Sequence, residues 1–288
     1  MKGLVSGLVL VLVIGATATG VFYKTEEPPL EHLTVRGEQA VFWGSGLYRY
    51  DPVSIAREGI IWDTINLLIG VPLLGVGILL ARRGSLRGRL LQAGLLSYFF
   101  YVYLMYATMM AFNPLFLLYV AIFSLSLVGC LKTVTAIDIA DLPNRVEERF
   151  PRRVFAAYML MLAAMVTLLW MGLVVPITMT NSFPAELAGV STLESQALDL
   201  GLIVPLSLAA GLLLWRRAAW GYLLTGIGIT HGLMMFISIP AWVVVPLLEA
   251  GTVNLAEAIP FGILCIIGIV LAVRFYRDID RTAGPARE

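Results

Sequence analysis

Apolar residues gather into eight runs with polar stretches between them. The runs are Leu4 to Tyr23, Ile60 to Ala81, Leu90 to Phe112, Pro114 to Leu131, Val154 to Pro176, Leu198 to Trp215, Trp220 to Val245 and Ile259 to Val273. About 20 apolar residues span the hydrocarbon core of a bilayer as a helix, and a helix satisfies its own backbone N–H and C=O groups where no water can. The pattern predicts an all-α polytopic membrane protein with about eight transmembrane helices. The first run follows Lys2 and carries Ala16-Thr17-Ala18, features shared with cleavable signal peptides. We read it as a retained anchor, because with it the two halves of the chain correspond better.

Those halves show at two phrases. "GVPLLGVGILLARR" ends on Arg82 and Arg83, and "IVPLSLAAGLLLWRR" ends on Arg216 and Arg217. Each places a proline, Pro72 or Pro205, several turns before an arginine pair, and each is preceded by acids: Glu58 and Asp63, then Glu194 and Asp199. Four spans separate the copies, so both run in the same sense, which predicts two parallel four-helix repeats related by an axis along the membrane normal. The division is residues 1–134 as the first half, with an outer loop near 24–57, 135–153 as a cytoplasmic linker, and 154–288 as the second half. Within the linker, Ile139, Leu142, Val146 and Phe150 fall at helical spacing, predicting an amphipathic helix on the inner surface. Asn113-Pro114 reads as a helix cap and first helical position, and Asp51-Pro52 as another helix start.

Charge orients the bundle. With both termini inside, only Lys24, Arg36, Arg49 and Arg57 of 20 basic residues lie outside, as the bias of Lys and Arg toward cytoplasmic flanks requires. Of 19 acidic residues, Glu26, Glu27, Glu31, Glu38, Asp51, Glu58, Asp63, Glu186, Glu194, Asp199, Glu249 and Glu257 lie outside or at the outer border, a field that draws cations. The outer turn after Pro246, with Glu249, Asn254 and Glu257, is longer than its counterpart at Asn113. Composition agrees with a life in lipid: 59% of the 288 residues are hydrophobic and 14% charged, against about a quarter charged in soluble domains. The expected location is a plasma membrane of a prokaryotic cell, with N and C termini cytoplasmic.

Candidate chemistry is sparse. A proline leaves the carbonyl four residues earlier without its helical donor, which puts free acceptors at Leu68 and Gly201. Paired broken helices build midplane sites in transporters. At 1.5 Å per residue, Asp63 lies about 28 Å above Arg82 and Asp199 about 25 Å above Arg216, so both are placed near the outer boundary with access to water. His231, in "GIGITHGLMMF", sits near mid-membrane, with Tyr103 as its approximate counterpart in the first half. Tyr98 and Tyr101 are deep enough for their hydroxyls to need partners. Cys130 and Cys265 lie in apolar runs without CxxC spacing, so neither a disulfide framework nor a zinc site is indicated. HExxH, Walker A and GxSxG patterns are absent, and His32 and His231 are the only histidines.

The expectation is therefore a protein that binds or transports a small cationic or neutral solute through an outward-facing cavity between its halves. Asp63, Asp199 and Glu58 are the expected cation attractors, and His231, Tyr98 and Tyr101 the expected lining. No catalytic residue, metal ligand or cofactor is assigned, and the inner basic residues read as topology signals, not as a nucleic-acid surface. The alternative is a noncatalytic membrane subunit or sensor that engages a partner through "AVFWGSGLYRYDPV". A weaker third reading is an intramembrane enzyme acting on a lipid.

Overall fold

A computed structural model describes residues 3–34, 37, 39–180, 182, 192–250 and 255–279. Arg36, Glu38, Glu186 and Asn254 lie outside the described residues, as do the side chains of Glu249 and Glu257. Apolar composition dictates helices wherever it persists, and the fold is mostly helical. Leu4–Phe22 is α1. Val53–Ile65 (α2) passes through a π-helical turn at Asn66–Gly70 into Val71–Arg82 (α3). Leu86–Met109 is α4 and Phe116–Thr135 is α5. Arg152–Thr180 is α6. Glu194–Leu198 (α7) passes through a second π turn at Asp199–Ile203 into Val204–Trp215 (α8). Ala219–Ala250 (α9) and Leu255–Asp278 (α10) complete the chain. Seven spans among the described residues are long and apolar enough to cross a membrane, and α10 is a further long helix. The protein is a multi-pass membrane protein.

The two π turns sit where the prolines demand them. Val71 and Val204, each just before a proline, donate their N–H to the carbonyls of Asn66 and Asp199, five residues back. The wider turn accommodates a ring that has no N–H to give and that would clash with the preceding turn of a regular helix. The segments contain Leu68 and Gly201.

Past each π turn the helices end alike. Ser85 N–H bonds to Leu80 and Gly84 N–H to Ala81, while Ala218 N–H bonds to Leu213 and Arg217 N–H to Leu214. Both are Schellman caps, which require a left-handed residue. Gly84 takes it at φ 84° and Arg217 at φ 62°. In the following helices, Gly88 and Gly221 press on the backbone of the helix just left: a Cβ would lie 2.5 Å from the nitrogen of Ala81 and 2.2 Å from that of Leu214. Pro72 and Pro205, Gly84 and Arg217, and Gly88 and Gly221 are separated by one constant interval.

Helix α4 is the hub. It packs on α3, α5 and α9, while α9 packs on α8, α10 and α2. Gly94 on α4 admits Thr230 of α9, whose Cβ would be 2.3 Å from an added Cβ. Buried apolar residues form two clusters that interlock: Leu86 and Leu90 belong with the C-terminal helices, and Met234 with the N-terminal ones.

The inter-half segment departs from the expected amphipathic helix. Between Pro143 and Pro151 the chain makes only a 3-10 turn at Leu142–Arg145, then pairs Val146 with Ile279 in an isolated bridge. The prolines remove the donors a longer helix needs. Its apolar residues still turn inward: Leu142 is 1% exposed, and the Phe150 ring stacks on Phe155 at 4.6 Å.

The stretch before α2 is also structured among its described residues. Leu30–Leu33 (β1) and Gln39–Phe42 (β2) form an antiparallel hairpin with Leu30 opposite Phe42. Asp51 does not cap α2. Its carboxylate accepts the N–H of Ala111 at 2.7 Å, fastening the loop to the α4–α5 turn. Asn113 accepts the N–H of Leu115 at 2.9 Å, and α5 starts only at Phe116, two residues beyond Pro114.

Candidate functional site

A cavity of about 250 Å³ lies between α2, α4, α6, the α7–α8 segment and α9. Most of its wall is apolar, with Met105, Met159, Leu162 and Val166 among the lining residues. Its polar members include Glu58, Ser97, Tyr101, Trp170, Asp199 and His231. No lysine or arginine is among the described residues that line it.

The π turn positions Asp199. One carboxylate oxygen accepts the hydroxyl of Tyr101 on α4 at 2.7 Å, and the other accepts the indole N–H of Trp170 on α6 at 2.8 Å. A carboxylate of the C-terminal half is thus held by one helix from each half. His231 on α9 lies against α4: its ring meets those of Tyr98 and Tyr101 edge-on, at 5.9 and 5.5 Å, and its Nδ1 is 3.2 Å from the Ser97 hydroxyl oxygen. His231 Nε2 is buried without a partner.

Of the residues expected at the site, Asp199, His231, Tyr101 and Glu58 line this one cavity. Asp63 and Tyr98 stand behind it. Asp63 is 1% exposed, whereas its height along the helix suggested a boundary position in reach of water. Tyr48 of the outer loop folds inward and donates to Asp63 at 2.5 Å, and Tyr106 donates to it at 3.4 Å and to the Gly59 carbonyl at 3.1 Å. Tyr103 and Tyr119 pack against Tyr106 with ring centres 5.5 and 5.4 Å away, so an aromatic shell excludes water from the carboxylate. Gly20 of α1 completes the enclosure, since an added Cβ would lie within bonding distance of Asp63. Tyr106 also lines the cavity and is the wall between the two places.

Tyr98 donates to Asn66 Oδ1 at 2.8 Å. Tyr98 and His231, and Asn66 and Asp199, fall at the same interval as the prolines and the caps. By that interval His231 is matched with Tyr98, where the looser sequence alignment had paired it with Tyr103. Asn66, Trp170 and Ser97 had not been singled out, and Tyr48 was noted only within the aromatic stretch proposed to meet a partner. Trp170 carried a signal, an indole N–H in the middle of an apolar run that must find an acceptor. Asn66 carried one only in the correct register.

Outside the spans, burial pushes the Asp51 carboxyl from 3.8 up to about 7, only partly offset by the Ala111 N–H. Among the described residues no three His, Cys, Asp or Glu side chains gather as a metal site. No known protein family, curated protein or solved structure matches the chain.

Proposed function

We propose that this protein binds, and carries across a plasma membrane, a small cationic or neutral solute in the cavity between two parallel four-helix repeats. The observation that carries the reading is that one small, mostly apolar cavity takes its ionisable groups from both halves: Glu58 and Tyr101 from the first, Asp199 and His231 from the second. Ligand pockets typically have such walls, apolar surface with a few convergent polar groups. The duplication is supported by the paired π turns, the paired Schellman caps and the constant interval between them. Irregular backbone at membrane depth is tolerated where protein or a cavity covers it, and transporters use broken helices of this kind. The arginines at Arg82, Arg83, Arg216 and Arg217 support cytoplasmic termini through the positive-inside bias.

A thermal-stability screen of small solutes on the detergent-purified chain tests this. Cationic and neutral compounds are expected to raise the melting temperature, and Gly228→Leu, which fills the cavity, is expected to abolish the effect. An added Cβ at Gly228 meets only Met159, at 3.5 Å, so that variant should fold. Solute effects that survive the filled cavity, or anionic compounds that bind best, would overturn the reading.

A second reading, a membrane subunit or sensor with a partner at its outer loop, is favoured by the apolar side chains the hairpin region leaves in the open. Leu33, Val41 and Tyr50 are 60%, 49% and 53% exposed. A stoichiometric companion co-purifying in mild detergent, and lost on Val41→Ser, would support it.

A further inference from the structure

Resting on the solute-binding reading, we infer that the wall formed by Asp199 and His231 receives a primary or secondary ammonium group carried on a small apolar body. The inference begins with counting protons. Ser97 donates its single hydroxyl proton to the Gly94 carbonyl at 2.8 Å. With that proton committed to Gly94, we assign the proton of the 3.2 Å contact to His231 Nδ1, which donates to the Ser97 oxygen. A neutral imidazole protonated at Nδ1 presents a lone pair at Nε2. That atom is buried and has no partner.

Asp199 has the same need in stronger form. Tyr101 and Trp170 supply one neutral hydrogen bond to each of its oxygens. A carboxylate offers about four lone-pair sites, so about two are left. Among the described residues no lysine or arginine lines the cavity to balance its charge, and Glu58 of α2 adds a second acid to the cavity lining. Asp199 is half-buried, and a partly desolvated charge without a counter-ion is unfavourable. Both groups thus lack a donor, and one of them also lacks a positive charge.

An ammonium group supplies both at once. A primary ammonium has three N–H donors, while an alcohol has one donor and no charge; Tyr101, bonded to Asp199 and edge-on to the His231 ring at 5.5 Å, sets the two groups on either side of one phenol. The remaining wall suits the body of such a ligand: Met105, Met159, Leu162 and Val166 are apolar, and the rings of Tyr101 and Trp170 offer faces that attract cations. The matched place in the N-terminal half makes the contrast. There Tyr98 donates to Asn66 Oδ1 at 2.8 Å, a pair that carries no charge, although Asn66 Nδ2 is likewise buried without a partner. In the C-terminal half the longer phenol is replaced by a shorter imidazole and the amide by a carboxylate, so the positions are chargeable and Nε2 is left unpartnered.

The test uses the purified full chain in mild detergent and three probes on one skeleton: 2-phenylethylammonium, 2-phenylethanol and 3-phenylpropionate. Calorimetry should show the ammonium binding about ten- to a hundredfold more tightly than the alcohol, the span of one charge-assisted hydrogen bond. The carboxylate should not bind. Asp199→Asn should bring the ammonium down to the alcohol's affinity and leave the alcohol unchanged. His231→Phe, which keeps Asp199 intact, should weaken the ammonium severalfold and serves if Asp199→Asn does not fold. Equal binding of ammonium and alcohol, or full ammonium affinity in both variants, overturns the inference; the cavity reading then still stands if Gly228→Leu removes all binding. If no probe binds, or binding persists in Gly228→Leu, both readings fall.

Discussion

Single residues in this protein answer to burial more than to sequence position. Asp51 is 1% exposed, and its carboxyl is raised from 3.8 to about 7 because leaving water penalises its charged form more than the Ala111 N–H favours it. The folded state therefore holds a proton there that the unfolded chain has released between about pH 4 and pH 7. Stability falls as pH rises through that window and is level above it. Asp51→Asn keeps an acceptor for Ala111 and should flatten the fall, as read from melting temperatures between pH 4 and 8; an unchanged slope would refute this origin. Asp63 teaches the same lesson. Rise per residue set its height along the helix, but only the folded loop brings Tyr48 down to cover it. Asp199, His231 and Tyr101 could each be picked out as polar atoms in apolar runs, while their meeting depended on which faces of α4, α6 and α9 turn together.

Elements are where the sequence was most legible. The spans follow from runs of apolar residues, and Pro72 and Pro205 marked the sites of the two π turns through the donor each proline lacks. The linker was misread because helical spacing of Ile139, Leu142, Val146 and Phe150 was weighed without Pro143 and Pro151, which limit any helix between them. Helix packing depends on close approach at a few glycines. Gly94→Ala places a methyl 2.3 Å from Thr230 Cβ on α9 and should cost about 1–3 kcal/mol. Gly75→Ala, where nothing lies within 4 Å, should be neutral or stabilising, because alanine favours the helix. Equal melting temperatures for the two variants would show that the α4–α9 contact does not limit stability.

At the level of the whole molecule, the proposed parallel halves require their turns to share a side of the bilayer. Cysteines introduced at Arg82 and Arg216, with Cys130 and Cys265 replaced by serine, should both react with an impermeant thiol reagent only from the cytoplasmic face. Ser54→Cys, beside the outer loop, should react only from the other. Labelling of positions 82 and 216 from opposite faces would dismantle the parallel duplication, and with it the argument that Asn66–Tyr98 and Asp199–His231 are counterparts. The seam also explains why the cavity is shared: Tyr101 comes from the N-terminal half and Trp170 from the C-terminal half, and Asp199 holds both.

Helix α4 is made early in synthesis and its companion α9 late. Until α9 emerges from the ribosome, the α4 face that carries Gly94, Ser97 and Tyr101 has none of its final neighbours on that helix, and the notch at Gly94 awaits Thr230. The nascent chain must therefore keep a polar seam waiting in the membrane while three further spans are made, until α9 arrives to cover it.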